Sequence, residues 1–181
     1  DALGFAAKRL GPLLAVLSAG AVIGKLKRTT AALDDIGKTA DKIGLTTDAL
    51  QELRTVAESA GISQSSLDTS MERFSKRLGE ATLGTGAAAK ALKQLGLDAD
   101  DLATMGLDKA LSVVADRMAN ISEPTERAAQ AAALFGREGV AMVNLMREGS
   151  VGMEKMRAEA RDLGIIIDES LIRGAEDAQT K

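Results

Sequence analysis

Three glutamates, Glu52, Glu58 and Glu72, are the first residues to consider for chemistry, because paired carboxylates can hydrolyse a glycosidic bond. Their sequence context favours a simpler interpretation. Glu58 follows Arg54 by four residues, and Lys76 follows Glu72 by four, so each pair is predicted to bridge on a solvated helix face. We therefore predict no catalytic carboxylate.

A phosphate-binding loop is the next candidate, because Gly79, Gly84 and Gly86 lie close together. A P-loop also requires a Gly-Lys-Ser or Gly-Lys-Thr sequence after the glycines and a strand before them. Neither is present, and Gly84-Thr85-Gly86 is predicted to be a flexible joint between helices.

A calcium loop is the third candidate, suggested by Asp98, Asp100 and Asp101. The spacing does not continue into an EF-hand, because no glutamate stands where the bidentate ligand would fall. Aspartates at the start of a helix also cap its free N–H groups. We predict capping residues here rather than metal ligands.

The amino-acid composition narrows the chemistry further, because the 181 residues include neither Cys nor His. Disulfides, a thiolate nucleophile, an imidazole base and Cys/His metal sites are therefore excluded. Together with the weak constellations above, this predicts a protein that is not an enzyme and needs no cofactor.

The net charge of −3 argues against a general nucleic-acid binder, and no Trp or Tyr is available for stacking on bases. The cations are nevertheless concentrated near the start of the chain, at Lys8, Arg9, Lys25, Lys27 and Arg28. They are predicted to be solvated helix ends, with contact to DNA phosphates as the alternative. No sequence-specific recognition of nucleic acid is expected.

Between these cations, Leu10–Gly24 is uncharged and rich in small and aliphatic residues. It is shorter than the roughly 18 residues of a membrane span, and Pro12 interrupts it. Three interpretations remain open: a helix packing against copies of itself, a membrane-contacting segment, and a signal peptide. The residues predicted to touch a membrane are Leu13, Leu14, Val16, Leu17, Val22 and Ile23.

The elements that must position these residues are predicted to be helices. Apolar residues from Ile43 to Ala81 recur at steps of three, four and seven, which places them on one helical stripe. The stripe continues past Gly61, so it indicates either two amphipathic helices or one long rod. Its predicted packing and self-association residues are Leu50, Leu53, Leu67, Met71, Phe74 and Leu78.

Glycine punctuation divides the chain into short helices. Four joints have the same order of residues: a glycine, an apolar residue and then a capping residue. They are Gly44-Leu45-Thr46, Gly61-Ile62-Ser63, Gly96-Leu97-Asp98 and Gly106-Leu107-Asp108. The fold class predicted is all-α, with multiple amphipathic helices joined by Gly turns, extended or bundled, and with possible coiled-coil segments. The strand-like run Leu163–Ile167 is predicted to be a buried connector, and Asp168 to cap a last helix through Gln179.

The chain resembles a known family in four stretches, which occur in the family's order. They are TADKIGLTTDALQELRTVAESAGIS from Thr39, MERFSKRLGEATLGTGAAAKALKQLGL from Met71, KALSVVADRMANISEPTERAAQAAALFGREGVAMVNLMREG from Lys109 and EKMRAEARDLGIIIDESLIRGAEDA from Glu154. These are similar to the tail-length tape measure proteins of tailed phages and prophages. The resemblance divides the chain into a lead-in, 1–38, and a multi-helix tape-measure-like region, 39–181.

The resemblance implies a structural protein of the virion that lies in the lumen of the tail tube after assembly in the host cytoplasm. It implies a length ruler and assembly scaffold that also assists DNA passage into the host. The expected protein partners are further copies along the tail axis, tube subunits, tail assembly chaperones and tail-tip proteins. The host membrane is a further expected contact. Family members are far longer, so a fragment of a longer chain is expected.

Two other classes of function remain open from the residues alone. A helical adaptor or regulator would bind a partner helix through one of the amphipathic faces. An envelope-inserting protein would use Leu10–Gly24. Leakage of liposomes would separate the second class from the first.

Overall fold

The chain folds as a bundle of α helices. The computed structural model describes residues 19–179. All ten elements within these residues are helices, and none is a strand, which confirms the all-α prediction. The helices are α1 (Ala19–Ile43), α2 (Thr47–Ser59), α3 (Gln64–Thr82), α4 (Gly86–Gln94), α5 (Ala99–Met105), α6 (Leu107–Ala119), α7 (Pro124–Phe135), α8 (Gly139–Leu145), α9 (Gly149–Asp162) and α10 (Glu169–Gln179).

Helix α3 lies at the centre of the bundle and packs against α1, α2, α4, α5, α7 and α8. Its apolar residues at steps of three and four face inward, so Leu67, Met71 and Phe74 are fully buried. The ring of Phe74 lies 4.9 Å from that of Phe135 in α7, centroid to centroid. Of the two arrangements the sequence allowed, the structure is therefore the bundled one.

The stripe from Ile43 to Ala81 is divided at Gly61, so the long-rod interpretation does not describe this structure. Gly61 adopts a φ of +78°, which suits glycine, and the Ile62 N–H bonds back to the Ala57 carbonyl at 2.8 Å. Ser63 then starts α3 by accepting a hydrogen bond from the Ser66 N–H at 3.2 Å. Helices α2 and α3 consequently pack against each other.

Of the five predicted caps, four are confirmed, including Ser63, and one is wrong. Thr46 accepts a hydrogen bond from the Ala49 N–H, Asp98 accepts two from the backbone of α5, and Asp168 accepts one from the Ser170 N–H. Asp108, however, lies inside the first turn of α6, and Gly106 is the N-cap. The Asp108 carboxylate binds Arg157 instead, a partner that local sequence does not reveal.

The prediction of a buried connector at 163–167 is wrong, because Leu163, Ile165 and Ile167 are exposed. The connector joins α9 to α10 without regular structure. Its anchor is polar: the Gln51 side chain donates to the Ile167 carbonyl at 3.0 Å and accepts from the Ile167 N–H at 2.8 Å. One amide side chain therefore satisfies both backbone hydrogen-bonding groups of Ile167. These bonds hold the connector in place without burial of its isoleucine side chains.

The lead-in is described only in part. Helix α1 runs without a break through positions 38 and 39, and α10 packs along it. The division into 1–38 and 39–181 stays a prediction. Of the predicted membrane-contacting residues, Leu13, Leu14, Val16 and Leu17 lie outside the described residues, and the side chains of Val22 and Ile23 are also outside the description.

The joint between α7 and α8 gives a test of the packing. A Cβ added at Gly139 would lie 2.6 Å from the Ala131 carbonyl oxygen, whereas one added at Gly79 on α3 would meet nothing within 4 Å. We expect Gly139→Ala to lower the free energy of unfolding by about 1–3 kcal/mol through overpacking. Gly79→Ala should raise it by up to about 1 kcal/mol, because alanine favours the helix. Urea titrations of both variants measure this difference. Equal changes in the free energy of unfolding would contradict the close contact between Gly139 and Ala131.

Candidate functional site

Glu52, the first candidate carboxylate, lies in a buried network of charged side chains. It accepts a hydrogen bond from Arg161 of α9 at 2.8 Å and lies 4.0 Å from Arg157 of the same helix. Arg157 also donates to Asp108 of α6, and Arg161 to Glu154. The carboxylate is thus held between two guanidinium groups, and the network joins α2, α6 and α9.

The charge of this network is stabilised by its own hydrogen bonds. Hydrogen bonds to Glu52 and Glu154, together with their negative charges, raise the pKa of Arg161 above the ordinary arginine value. A carboxylate placed in this way serves as a counter-ion to Arg157 and Arg161. The network is therefore a structural joint between helices.

Neither of the other two candidate glutamates forms the predicted pair. Glu58 accepts a hydrogen bond from the Gln64 amide at 2.6 Å, and Glu72 bridges to Lys42 of α1 at 2.9 Å. Lys76 lies 3.9 Å from Glu80 instead of pairing with Glu72. The prediction of Arg54–Glu58 and Glu72–Lys76 bridges is therefore wrong, because contacts outside each helical pair take up these side chains.

Arg54 is the centre of a second charged joint. It is almost buried and makes two hydrogen bonds to Asp68 of α3, at 3.1 and 2.6 Å, and a longer one to Asp35 of α1. Burial opposes the charge, but the hydrogen bonds and the two negative charges outweigh it, so the pKa of Arg54 is raised. One guanidinium thereby links three helices.

Two arginines of α3 form a third joint, with the end of α7. Arg77 donates to the carbonyls of Ala132 and Ala133, both at 2.7 Å, and Arg73 pairs with Glu138. The Ala132 carbonyl also accepts from the Gly136 N–H at 3.0 Å. A cation at these carbonyls adds a partner at the helix C-terminus and complements the helix dipole. Sequence reasoning missed these contacts, and the one available signal was two arginines four residues apart.

The remaining candidates for chemistry are also structural where the structure describes them. Asp98 caps α5, so its carboxylate accepts hydrogen bonds from backbone N–H groups of that helix. Gly84 and Gly86 both have positive φ and form the joint between α3 and α4. Within the described part of the chain, no group of three acidic side chains is placed to hold a metal ion.

The six predicted packing residues lie in the interior of a single chain. Leu50 and Leu53 of α2 face the same core as the α3 side chains, and none of the six is exposed. In this fold these side chains are covered by the chain's own helices. Their role in self-association stays a prediction.

The network around Glu52 can be tested with two matched changes. Glu52→Gln removes a buried charge between two arginines, and we expect it to lower the free energy of unfolding by about 3 kcal/mol. Glu154→Gln removes the exposed partner of the same Arg161 and should change the free energy of unfolding by less than about 1 kcal/mol. Chemical denaturation followed by circular dichroism measures both, and equal small effects would mean that water already solvates Glu52.

The amino-acid sequence matches one known family. A sequence model described as "Phage-related minor tail protein" matches residues 3–136. This chain belongs to the phage-related minor tail protein family. The match covers α1 to α7, and α8 to α10 lie beyond it. No curated protein and no solved structure matches the chain.

Membership of the minor tail protein family gives the chain a structural role in a phage tail and associates it with the virion. It also favours a structural protein over an enzyme. Among the described helices, none has both the length and the apolar character needed to span a membrane.

Proposed function

We propose that this minor tail protein is a region of a tape measure protein, the ruler that sets tail length and the scaffold on which the tail tube assembles. The observation that carries the proposal is the family match over 3–136. The described chain also consists of helices, and its charged side chains hold those helices together. The tape-measure resemblance from Thr39 onward supports the finer assignment within the family.

Within such a protein, this region acts as a folded assembly module. Its core includes the Phe74–Phe135 contact and three charged joints. Straightening the helices into a rod would expose the two phenylalanine rings to water and would separate the ion pairs of the joints. Leaving an ion without its buried partner costs several kcal/mol. The length-setting part of the protein is then the helical chain outside this module.

The proposed partners follow from this placement. The module lies in the tail-tube lumen, where it meets copies of itself, tube subunits and tail-tip proteins, and tail assembly chaperones hold it before the tube closes. During infection the protein leaves with the genome and assists its passage into the host, with contact to the host membrane through Leu10–Gly24.

A cysteine pair tests whether the module occupies the tail in its folded form. The chain has no Cys, so Lys42→Cys with Glu72→Cys creates one defined pair at the ends of an ion pair 2.9 Å long. A short bismaleimide should join them within one chain in purified tails. In a straight helix the two positions would be about 45 Å apart and would not be joined.

The single-cysteine variants are the control for links between neighbouring chains. External protease should leave the chain intact until the tails are opened, as expected for the lumen. A pair that reacts in the isolated protein but never in tails, or tails that lack the chain altogether, would contradict the proposal.

A further inference from the structure

Helix α9 is attached to the bundle mainly by polar side chains. Its buried residues are Gly149, Gly152, Met153, Arg157 and Ala160. Met153 is the one large apolar side chain among these five, whereas α3 buries four such side chains. A helix that buries so little apolar surface depends on its polar contacts to stay in place.

Those polar contacts join α9 to two other helices. Near its start, Asp116 of α6 accepts hydrogen bonds from the Ser150 N–H at 2.7 Å and from the Ser150 hydroxyl at 2.9 Å. Further along, Arg157 donates to Asp108 of α6 at 3.0 Å, and Arg161 donates to Glu52 of α2 at 2.8 Å. Two arginines four residues apart therefore face carboxylates on two different helices.

Glu52 and Asp108 depend on α9 in turn. Within the described residues, every ion pair of these two carboxylates is made with α9. The Glu52 side chain is only 9% exposed while α9 is in place. We refer to the surface of α2 and α6 that carries Glu52 and Asp108 as the acidic trough. Because a covered carboxylate without a cation is strongly destabilising, the trough is matched to a helix that carries cations.

Open space lies beside α9 on two sides. A cleft of about 470 Å³ runs along it next to Ser112 of α6, and a cleft of about 390 Å³ lies toward Ser59 of α2 and Asn144 of α8. The joints at its two ends, 146–148 and 163–168, are not helical. Helix α9 is therefore loosely packed along its length and joined to its neighbours by non-helical segments.

We infer that α9 is an autoinhibitory helix, which masks the acidic trough until a helix of another protein displaces it. The fitting partner is a helix with two arginines four residues apart, because that spacing puts both guanidinium groups on one face, as in α9. The incoming arginines replace Arg157 and Arg161, while α1 to α8 and α10 keep their packing. The inference goes beyond the tape-measure role and does not rest on it.

A peptide with the sequence of residues 149–163 serves as the probe, since it carries the arginine spacing that the trough holds in this fold. The helix variant of the full chain carries Arg157→Gln and Arg161→Gln, so its own α9 loses its ion pairs. In fluorescence anisotropy the labelled peptide should bind this variant about tenfold more tightly than the unchanged chain, or better. The gain is expected because the apparent Kd falls as the fraction of chains with an open trough rises.

Three matched controls separate the trough from general charge effects. Lys155→Gln removes an exposed cation of α9 and should leave the peptide affinity as in the unchanged chain. Asp108→Asn also releases Arg157, but it changes the trough itself and should give no gain in affinity. A peptide in which both arginines are replaced by glutamine should not bind the helix variant.

Hydrogen exchange of the unchanged chain tests the displacement directly. The amides of α9 should exchange through an opening that leaves α3 protected. Equal protection of α9 and α3, or loss of most of the helical circular dichroism in the helix variant, would overturn the inference. So would peptide binding that survives replacement of its arginines, or a helix variant with no gain in affinity. A dimer of the unchanged chain that exchanges α9 between copies would assign the trough to a second copy instead.

Discussion

Replacing Phe74 by alanine should lower the free energy of unfolding by about 3–5 kcal/mol, the expected cost of a large cavity in a packed core. Phe74 is fully buried on α3, the helix with neighbours on most sides. Its ring also contacts Phe135, and an aromatic pair adds about 0.5–1.5 kcal/mol beyond area burial. The free energy of unfolding of a small domain is about 5–15 kcal/mol, so this one change would leave the bundle only marginally stable.

The measurement is urea unfolding followed by circular dichroism, with Lys76→Ala as the matched control. Lys76 is two residues away on α3 and its side chain is mostly solvated, so its loss should cost no more than about 0.5 kcal/mol. A double-mutant cycle with Phe135→Ala should give a coupling energy for the ring pair. A cost near zero for Phe74→Ala would mean that the face of α3 is not packed.

The core of this fold could be predicted from the sequence because its signals are local. The three-four spacing placed Leu67, Met71 and Phe74 on one face, and the structure buries that face. Glycine followed by a capping residue located the joint at Gly61, since both the positive φ and the cap depend on neighbouring residues. Helical spacing and glycine joints are short-range properties, so one sequence is enough to reveal them.

The charged joints could not be predicted, because their partners are distant in the sequence. Local spacing assigned Arg54 to Glu58, yet its hydrogen-bond partners lie on α3 and α1. The same limit applies to Ile167, whose apolar neighbours suggested burial. Its position depends on Gln51 of α2, which lies 116 residues earlier in the sequence and binds the Ile167 backbone. Contacts of this kind follow from how helices cross, which no single-helix pattern records.

An in-frame deletion of Thr39–Leu163 in the phage should prevent tail assembly instead of shortening tails. The deletion removes the end of α1 and all of α2 to α9, including the central helix α3, so the remaining parts of α1 and α10 cannot form the bundle. If these residues were a straight helix in the tail, their loss would shorten it by about 190 Å. In the proposed function, a folded module contributes little length and supplies surfaces on which the tube is organised.

Electron microscopy of lysates, with tails counted and measured, tests the central claim most directly. Phage carrying Lys76→Ala provide the control for normal tail number and length. The account predicts few or no complete tails from the deletion phage. Tails in normal number and at unchanged length would contradict an assembly role for this region, and tails shortened by about 190 Å would contradict the folded module.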